Sequence, residues 1–372
     1  MKLTKRVRLA TGILLVLSLA LAPVANACTG ITIVARDGAV VYGRTLEWGA
    51  FDLKSRMVVF PRGYRFNAKT PDDKSGISWT ARYGIVGIDG LEKDLICDGM
   101  NEKGLAVGVF YHPGFADYQP YDPQQASRSM GPTDLSAYLL SQFSTVKEVR
   151  AGMEQIRVVP VVEKALGFAA PIHINVTEPG GKAIVIEFTK GEVVIHENNL
   201  GVITNSPNFD WHITNLRNYI NLSPVALPGK KIETLDFKPL GAGSGMIGLP
   251  GDFTPPSRFV RAVAFSKTAR PTNSGGEAIY EVFRILDSFN VPLGAAEGTD
   301  LKAGPQAGLR SSTCWTSAAD TRNLVYYFHT QHNRRVRKID LTKIDFDSVK
   351  TASRFPLDKE KSQDIEDRTP TQ

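Results

Sequence analysis

The junction Ala25-Asn26-Ala27-Cys28-Thr29-Gly30 sets where this 372-residue chain starts to fold. Lys2, Lys5, Arg6 and Arg8 precede an apolar run over 9–24. With Ala25-Asn26-Ala27 they read as the basic, apolar and cleavage regions of a secretory signal peptide over 1–27, so the protein is expected to be exported, periplasmic or secreted. Cleavage after Ala27 makes Cys28 the first residue of the mature protein. One residue then carries a thiol nucleophile and a free α-amine, which ordinarily titrate near about 8.5 and about 8. The amine can take the thiol proton near neutral pH and later return it to a leaving group.

Other roles compete for Cys28. It could be an ordinary buried cysteine, or half of a disulfide in an oxidising compartment. It could also be the lipidated cysteine of an envelope binding protein. Lipidation usually follows Leu at the third position before the cysteine and a small residue at the second. Ala25 and Asn26 stand there, and they suit the ordinary peptidase better.

The residues after Cys28 favour catalysis. Positions 29–34 are rich in β-branched residues and read as a strand, Arg36-Asp37-Gly38 as a turn, and 39–42 as a second strand. Such a hairpin brings Arg44 back beside Cys28, where a guanidinium favours the thiolate. Glu47 could then orient the α-ammonium, and Trp48 could wall the pocket. Against this, an Arg-x-x-Glu pair is in most proteins a solvated surface pair.

Composition narrows the function further. The formal net charge is +6, but four of the basic residues lie in the signal peptide and no acidic residue does. The mature chain is near +2, which gives no electrostatic case for a nucleic-acid partner. No later run reaches the roughly 20 apolar residues of a membrane helix, so no membrane contact is expected after cleavage. With Cys28 free, Cys97 and Cys314 could pair, although burial as two small hydrophobes fits them better. His112, His173, His196, His212, His329 and His332 show no metal-ligand spacing, and no glycine-rich phosphate loop follows a strand. No metal or cofactor is expected.

Cys28-Thr29-Gly30 with Gly43-Arg44-Thr45-Leu46-Glu47-Trp48 resembles the choloylglycine hydrolase family, the bile salt hydrolases and penicillin V acylases. The resemblance recurs at 98–105, 204–210, 248–252 and 257–260, and spans about 28–345. It implies an α+β, four-layer αββα N-terminal nucleophile hydrolase fold, with two stacked antiparallel sheets between helix layers. It also implies hydrolysis of a linear carboxamide bond in a small-molecule N-acyl amide, and a homotetramer. Residue by residue, it assigns Cys28 as nucleophile, with Arg44 and Arg258 beside the thiolate and Arg261 as the nearby alternative to Arg258. Tyr111, through its N–H, and the Asn205 side chain are assigned to the oxyanion. Asn205 would otherwise read as a turn residue before Ser206-Pro207. Tyr111 falls where bile salt hydrolases tend to have Asn and penicillin V acylases Tyr. Glu47 stands where the family usually has Asp, and the extra methylene moves the carboxylate by about 1.5 Å. Trp48, Phe51 and Tyr111 are the candidate acyl-pocket residues. Bile salts, phenoxyacetyl penicillins and acyl-homoserine lactones all offer a bulky or apolar acyl group.

The remainder reads as one catalytic domain over 28–350. Strands are expected over 55–61, 78–88, 94–97, 105–111, within 172–197, over 201–205, and late over 311–316, 323–329 and 338–346. Helices are expected after Pro132-Thr133-Asp134, over 146–156, from Ser257, and over 275–289. Residues 67–76, 112–130 and 230–248 read as loops, and 351–372 as a polar, disordered tail.

Overall fold

The computed structural model describes residues 28–49, 52–296, 312–348 and 350–370. The expected signal peptide and Phe51 lie outside the described residues. β1 (Thr29–Val34) and β2 (Val40–Trp48) form the expected hairpin, with Thr29 opposite Thr45 and Gly30 opposite Arg44. β2 runs through the whole Gly43-to-Trp48 block, because its other edge pairs with Ser312–Asp320 from the far end of the chain.

This hairpin lies within a six-stranded antiparallel sheet. Its order is Val202–Ile203, β1, β2, Ser312–Asp320, Val325–Thr330, Arg337–Asp340. An eight-stranded antiparallel sheet faces it, in the order Glu192–Glu197, Ala183–Thr189, Ile172–Thr177, Ala106–Tyr111, Leu95–Asn101, Ile85–Gly90, Arg56–Phe60, Ser353–Pro356. Helices α1 (Leu135–Gln142) and α2 (Val146–Met153) cover the larger sheet. The short α3 (Phe209–Asn215) leads towards α4 (Pro255–Thr268) and α5 (Gly275–Asp287), which cover the smaller sheet. The layers run helix, sheet, sheet, helix, as the αββα reading requires.

Strand parity then sorts the site residues. A Cβ on Gly43 would meet Val282 of α5 at 2.4 Å, so the odd positions of β2 face the helices. A Cβ on Gly30 would meet Phe110 of the larger sheet at 2.8 Å, so the even positions of β1, and with them Arg44, face the space between the sheets. Both motif glycines therefore permit a close approach between layers. Ile31, Met57, Val86, Phe110, Val282 and Trp315 belong to one core running from the α4–α5 layer through the sheet–sheet interface.

Four expectations need correction. The loop expected over 230–248 carries a short hairpin, Lys230–Ile232 with Leu235–Phe237. The polar stretch over 67–76 is the tip of a hairpin, Arg65–Lys69 with Ser75–Thr80. Phe66 stacks on Trp79 at 5.1 Å, which gives the hairpin an apolar side the polar sequence hides. The strand expected over 78–88 is two strands, broken between Thr80 and Ile85. The tail is ordered where it returns to the domain. Ser353–Pro356 pairs with Arg56–Phe60, Arg354 grips Asp94, Leu357 is buried, and Arg337 holds Asp358 at 2.7 Å. Pairing that edge strand outweighs the charged composition. Among the described residues, no helix is long and apolar enough to cross a membrane.

Candidate active site

The register of the smaller sheet builds the centre. Gly30 pairs with Ile203, so the antiparallel run carries Asn205 level with Cys28, beyond the paired ends. Cys28 N–H donates to Asn205 Oδ1 at 2.9 Å. Arg258, near the start of α4 and fully buried, completes the contact. Its Nη1 donates to Cys28 O and, at 2.9 Å, to Thr29 Oγ1; its Nη2 donates to Asn205 Oδ1 at 2.7 Å. A cation gains nothing from a helix dipole at that end, so these acceptors explain its place. Burial lowers its pKa to about 10, with the nearby Glu47 and Cys28 acting in the opposite direction. Arg261 instead donates to Pro250 O and Asp252 O and ties down the loop before α4.

Arg44 works from the other side. Its Nη1 donates to both Cys97 O and Val109 O, and its guanidinium lies 4.4 Å from the Phe110 ring centre. Cys97 and Val109 belong to adjacent strands whose pairing ends at Asp98–Gly108. The guanidinium therefore occupies the point where those strands part. Nη2 is buried without a hydrogen-bond partner. Burial opposes the Arg44 charge, yet the fields of Cys28, Tyr42 and Asp98 leave its pKa above the ordinary arginine value. This places a buried cation beside Cys28, partly answered by the field of Asp98. Asp98 answers it only at a distance, because its Oδ2 accepts from Ser317 Oγ and Tyr326 OH.

Tyr111 sits on the edge Arg44 opens. His112 N–H bonds Pro171 O, so the Tyr111–Ile172 pair is the non-hydrogen-bonded kind and the Tyr111 N–H points away from that neighbour. Its carbonyl accepts from Asn205 Nδ2 at 2.8 Å. Asn205 keeps a second Nδ2 hydrogen. That hydrogen and the Tyr111 N–H are two neutral donors beside the Asn205–Tyr111 contact. Burial pushes the Tyr111 phenol up to about 12, so it stays neutral.

Glu47 departs from expectation. Three residues from Arg44 on one strand, it faces the opposite side of the sheet. Its Oε1 accepts from Thr313 Oγ1 at 2.7 Å and its Oε2 from Thr45 Oγ1 at 3.1 Å. Thr45 Oγ1 in turn accepts the Thr29 N–H at 3.3 Å. The Cys28 nitrogen is held by Asn205, and Glu47 reaches it only through Thr45 and Thr29. Burial raises the Glu47 pKa to about 7, with Arg258 and the two threonines pulling the other way.

The centre opens on a cavity of about 90 Å³ with an almost wholly apolar wall. Cys28, Trp48, Val109, Tyr111, Leu166 and Ile172 are among its lining. Trp48 and Tyr111 meet edge to face, ring centres 5.5 Å apart. The cysteines do not pair: Cys97 lines the same cavity, and Cys314 Sγ contacts Trp48 O. Burial pushes both thiols up to about 12, so neither supplies a thiolate near neutral pH.

Sequence spacing gave no hint of one further cluster. His112, His173 and Glu187 place ligand atoms within 4.8 Å of one another, all buried. The His112 and His173 rings stack in parallel at 4.2 Å, so their in-plane lone pairs do not converge on a common ion. Both His173 nitrogens already face acceptors, Glu187 Oε1 and Thr204 O. Thr45, Thr313 and these imidazoles are the site residues the sequence left unread; only Thr45 had a signal, its place inside the Gly43-to-Trp48 block.

A family model described as linear amide C–N hydrolases, choloylglycine hydrolase family, matches residues 28–353. The bile salt hydrolase/transferase of Clostridium perfringens is 31% identical over 336 residues, 87% of this chain and 96% of that protein. The crystal structure of a mutant conjugated bile acid hydrolase from Clostridium perfringens aligns with a TM-score of 0.78 at 27% identity, over 92% of this chain and 99% of that one. The structure of penicillin V acylase from Agrobacterium tumefaciens aligns with a TM-score of 0.70 at 26% identity, over 89% and 92%.

Proposed function

The chain belongs to the choloylglycine hydrolase family and hydrolyses a linear amide C–N bond; from that membership we propose that Cys28, freed by removal of residues 1–27 on export to the periplasm or beyond, is the nucleophile. The thiol attacks the acyl carbon and its proton passes to the residue's own α-amine. That proton goes to the leaving nitrogen, the C–N bond breaks, and a thioester remains on Cys28. Water then attacks the thioester with the amine as base, releasing the carboxylic acid and the thiol. The Tyr111 N–H and the second Asn205 Nδ2 hydrogen stabilise the oxyanion, and Arg44 and Arg258 supply positive potential. Glu47 supports the strand end through Thr45. A homotetramer is carried over from the family resemblance.

One observation carries this reading. The nitrogen and the carbonyl of Cys28 are held by Asn205 and Arg258, and the residue lines an apolar cavity. The cavity also bears on substrate. Its wall is almost wholly apolar, and the Trp48 and Tyr111 rings meet edge to face in it. Such a wall favours an amide of a flat aromatic or linear acyl group. A phenoxyacetyl amide or a long-chain acyl-homoserine lactone is preferred over a glycine-conjugated bile salt.

Side-by-side kcat/KM for the processed enzyme on these three substrates tests the reading. The phenoxyacetyl or long-chain amide should lead. A preference for the bile salt would overturn the pocket argument, and loss of none of the activity in Cys28→Ala would overturn the nucleophile.

A further inference from the structure

Asn205 is gripped from behind as well as in front. Its own carbonyl faces His212 Nε2 at 2.9 Å, and the preceding carbonyl, Thr204 O, faces His173 Nε2 at 3.0 Å. A carbonyl oxygen only accepts, so each imidazole donates. Two rings from different elements, the strand Ile172–Thr177 and α3, thus hold two successive peptide carbonyls. Both rings are buried, at 1% exposure each. Glu187 anchors the arrangement: Oε1 lies 3.0 Å from His173 Nδ1 and accepts from Phe209 N–H at 2.9 Å, and Oε2 lies 3.3 Å from His196 Nε2. Burial works against its charge, but the neighbouring His173 and His196 imidazoles hold the carboxyl below the usual range.

We infer that His173 and His212 are positioning residues for the amide chemistry, clamping the Thr204–Asn205 backbone so that the Asn205 side chain is aimed at Cys28. The inference rests on the reading of Asn205 as an oxyanion donor. It has a steric basis. Val202–Ile203 ends the ladder to β1, so residues 204 and 205 lie beyond its paired residues. Without the clamp, the Thr204 and Ser206 hydroxyls still bond Pro255 O and Pro113 O, but the two carbonyls flanking the Asn205 side chain are released, and that side chain must point correctly. A displacement of a fraction of an ångström there weakens the transition state more than it weakens ground-state binding.

The two ring nitrogens can be separated by substitution. A glutamine amide nitrogen reaches about where Nε2 lies, an asparagine nitrogen about where Nδ1 lies. His173→Gln keeps the donor to Thr204 O, whereas His173→Asn keeps only the partner of Glu187. The expected result is a kcat within about threefold of wild type for His173→Gln, and at least about tenfold lower for His173→Asn, with KM unchanged within about twofold and similar melting temperatures. His212→Gln and His212→Asn repeat the contrast at Asn205 O, should His173→Asn fail to fold. Equal kcat in the Gln and Asn variants, or a loss confined to KM, would overturn the clamp. Asn205→Ala is measured alongside: if it is inactive while the histidine pairs do not differ, only the clamp fails, and if it keeps full kcat, the oxyanion assignment fails with it.

Discussion

Cys28 and Asn205, 177 residues apart in sequence, are joined by a hydrogen bond of 2.9 Å from the Cys28 nitrogen to Asn205 Oδ1. The amide cannot be flipped. Arg258 can only donate and bonds the same oxygen, and Tyr111 O can only accept and bonds Nδ2. Asn205 thus ties together the nucleophile, an arginine and the edge strand that carries Tyr111.

That orientation makes Asn205→Asp informative. Aspartate retains the oxygen facing Cys28 and Arg258 but sets a second oxygen against Tyr111 O, and it removes the donor. Asn205→Ala and Asn205→Asp should both lower kcat by about 10²–10³-fold with the fold retained. Steady-state kinetics with a thermal melt decide it; a variant within a few-fold of wild type would leave Tyr111 N–H as the sole donor.

The proton shuttle is tested by processing. Asn205 Oδ1 accepts from the Cys28 nitrogen whether that nitrogen is an amine or an amide, so one retained residue before Cys28 need not disturb the contact. An amide nitrogen cannot take a proton from the thiol. A protein confirmed by mass to carry an extra residue should show less than about 1% of the mature rate. Full activity in that protein would assign the base to another group.

Much of this site was legible in the sequence because its parts lie within short blocks. The β-branched run and the Arg36-Asp37-Gly38 turn specify the β1–β2 hairpin, and the hairpin register brings Arg44 opposite Gly30. The Glu47 contact was misread for a reason the sequence contains. Residues three apart share a face on a helix but not on a strand, so Arg44 and Glu47 had to diverge. The histidine cluster is different in kind. His112, His173, His196 and His212 come from a strand end, two strands and a short helix, and sheet order with the packing of α3 brings them to the Glu187 neighbourhood. No spacing encodes that meeting. The ordered tail was hidden likewise, since its partner strand Arg56–Phe60 lies some 300 residues earlier.

His329 predicts an acid-sensitive core. It is buried against Phe283, and burial, with Arg334 next, lowers its pKa to about 4. Between pH 6.5 and 4 the unfolded chain binds more protons at this position than the folded chain does. Its contribution is therefore fully present above the unfolded value and is lost as pH falls. At pH 5 the loss is about 2 kcal/mol. His329→Gln should flatten the fall in urea midpoint between pH 7 and 5 relative to wild type; a parallel pair of curves would show that the ring is charged in the folded state.

Glu47 predicts the opposite slope, coupled to activity. Its folded pKa of about 7 lies above the ordinary carboxyl value because of burial. Between about pH 4.5 and 7 the folded state holds the proton that the unfolded state has lost, so this group's contribution falls as pH rises through that window. The cost approaches about 3 kcal/mol well above pH 7. Glu47→Gln is nearly isosteric and keeps neutral partners for Thr45 and Thr313, so it should be more stable than wild type at pH 8, with the difference shrinking towards pH 4.5. Its kcat should nevertheless fall more than its KM rises, because the lost charge faces Arg258 and the Thr45–Thr29 support of the nucleophile rather than the acyl cavity. Glu47→Asp restores the charge on a shorter stem and should recover part of the rate. Melting curves across pH and kinetics on the same three proteins check both halves. A Glu47→Gln protein with wild-type kcat would make this carboxylate a structural group alone.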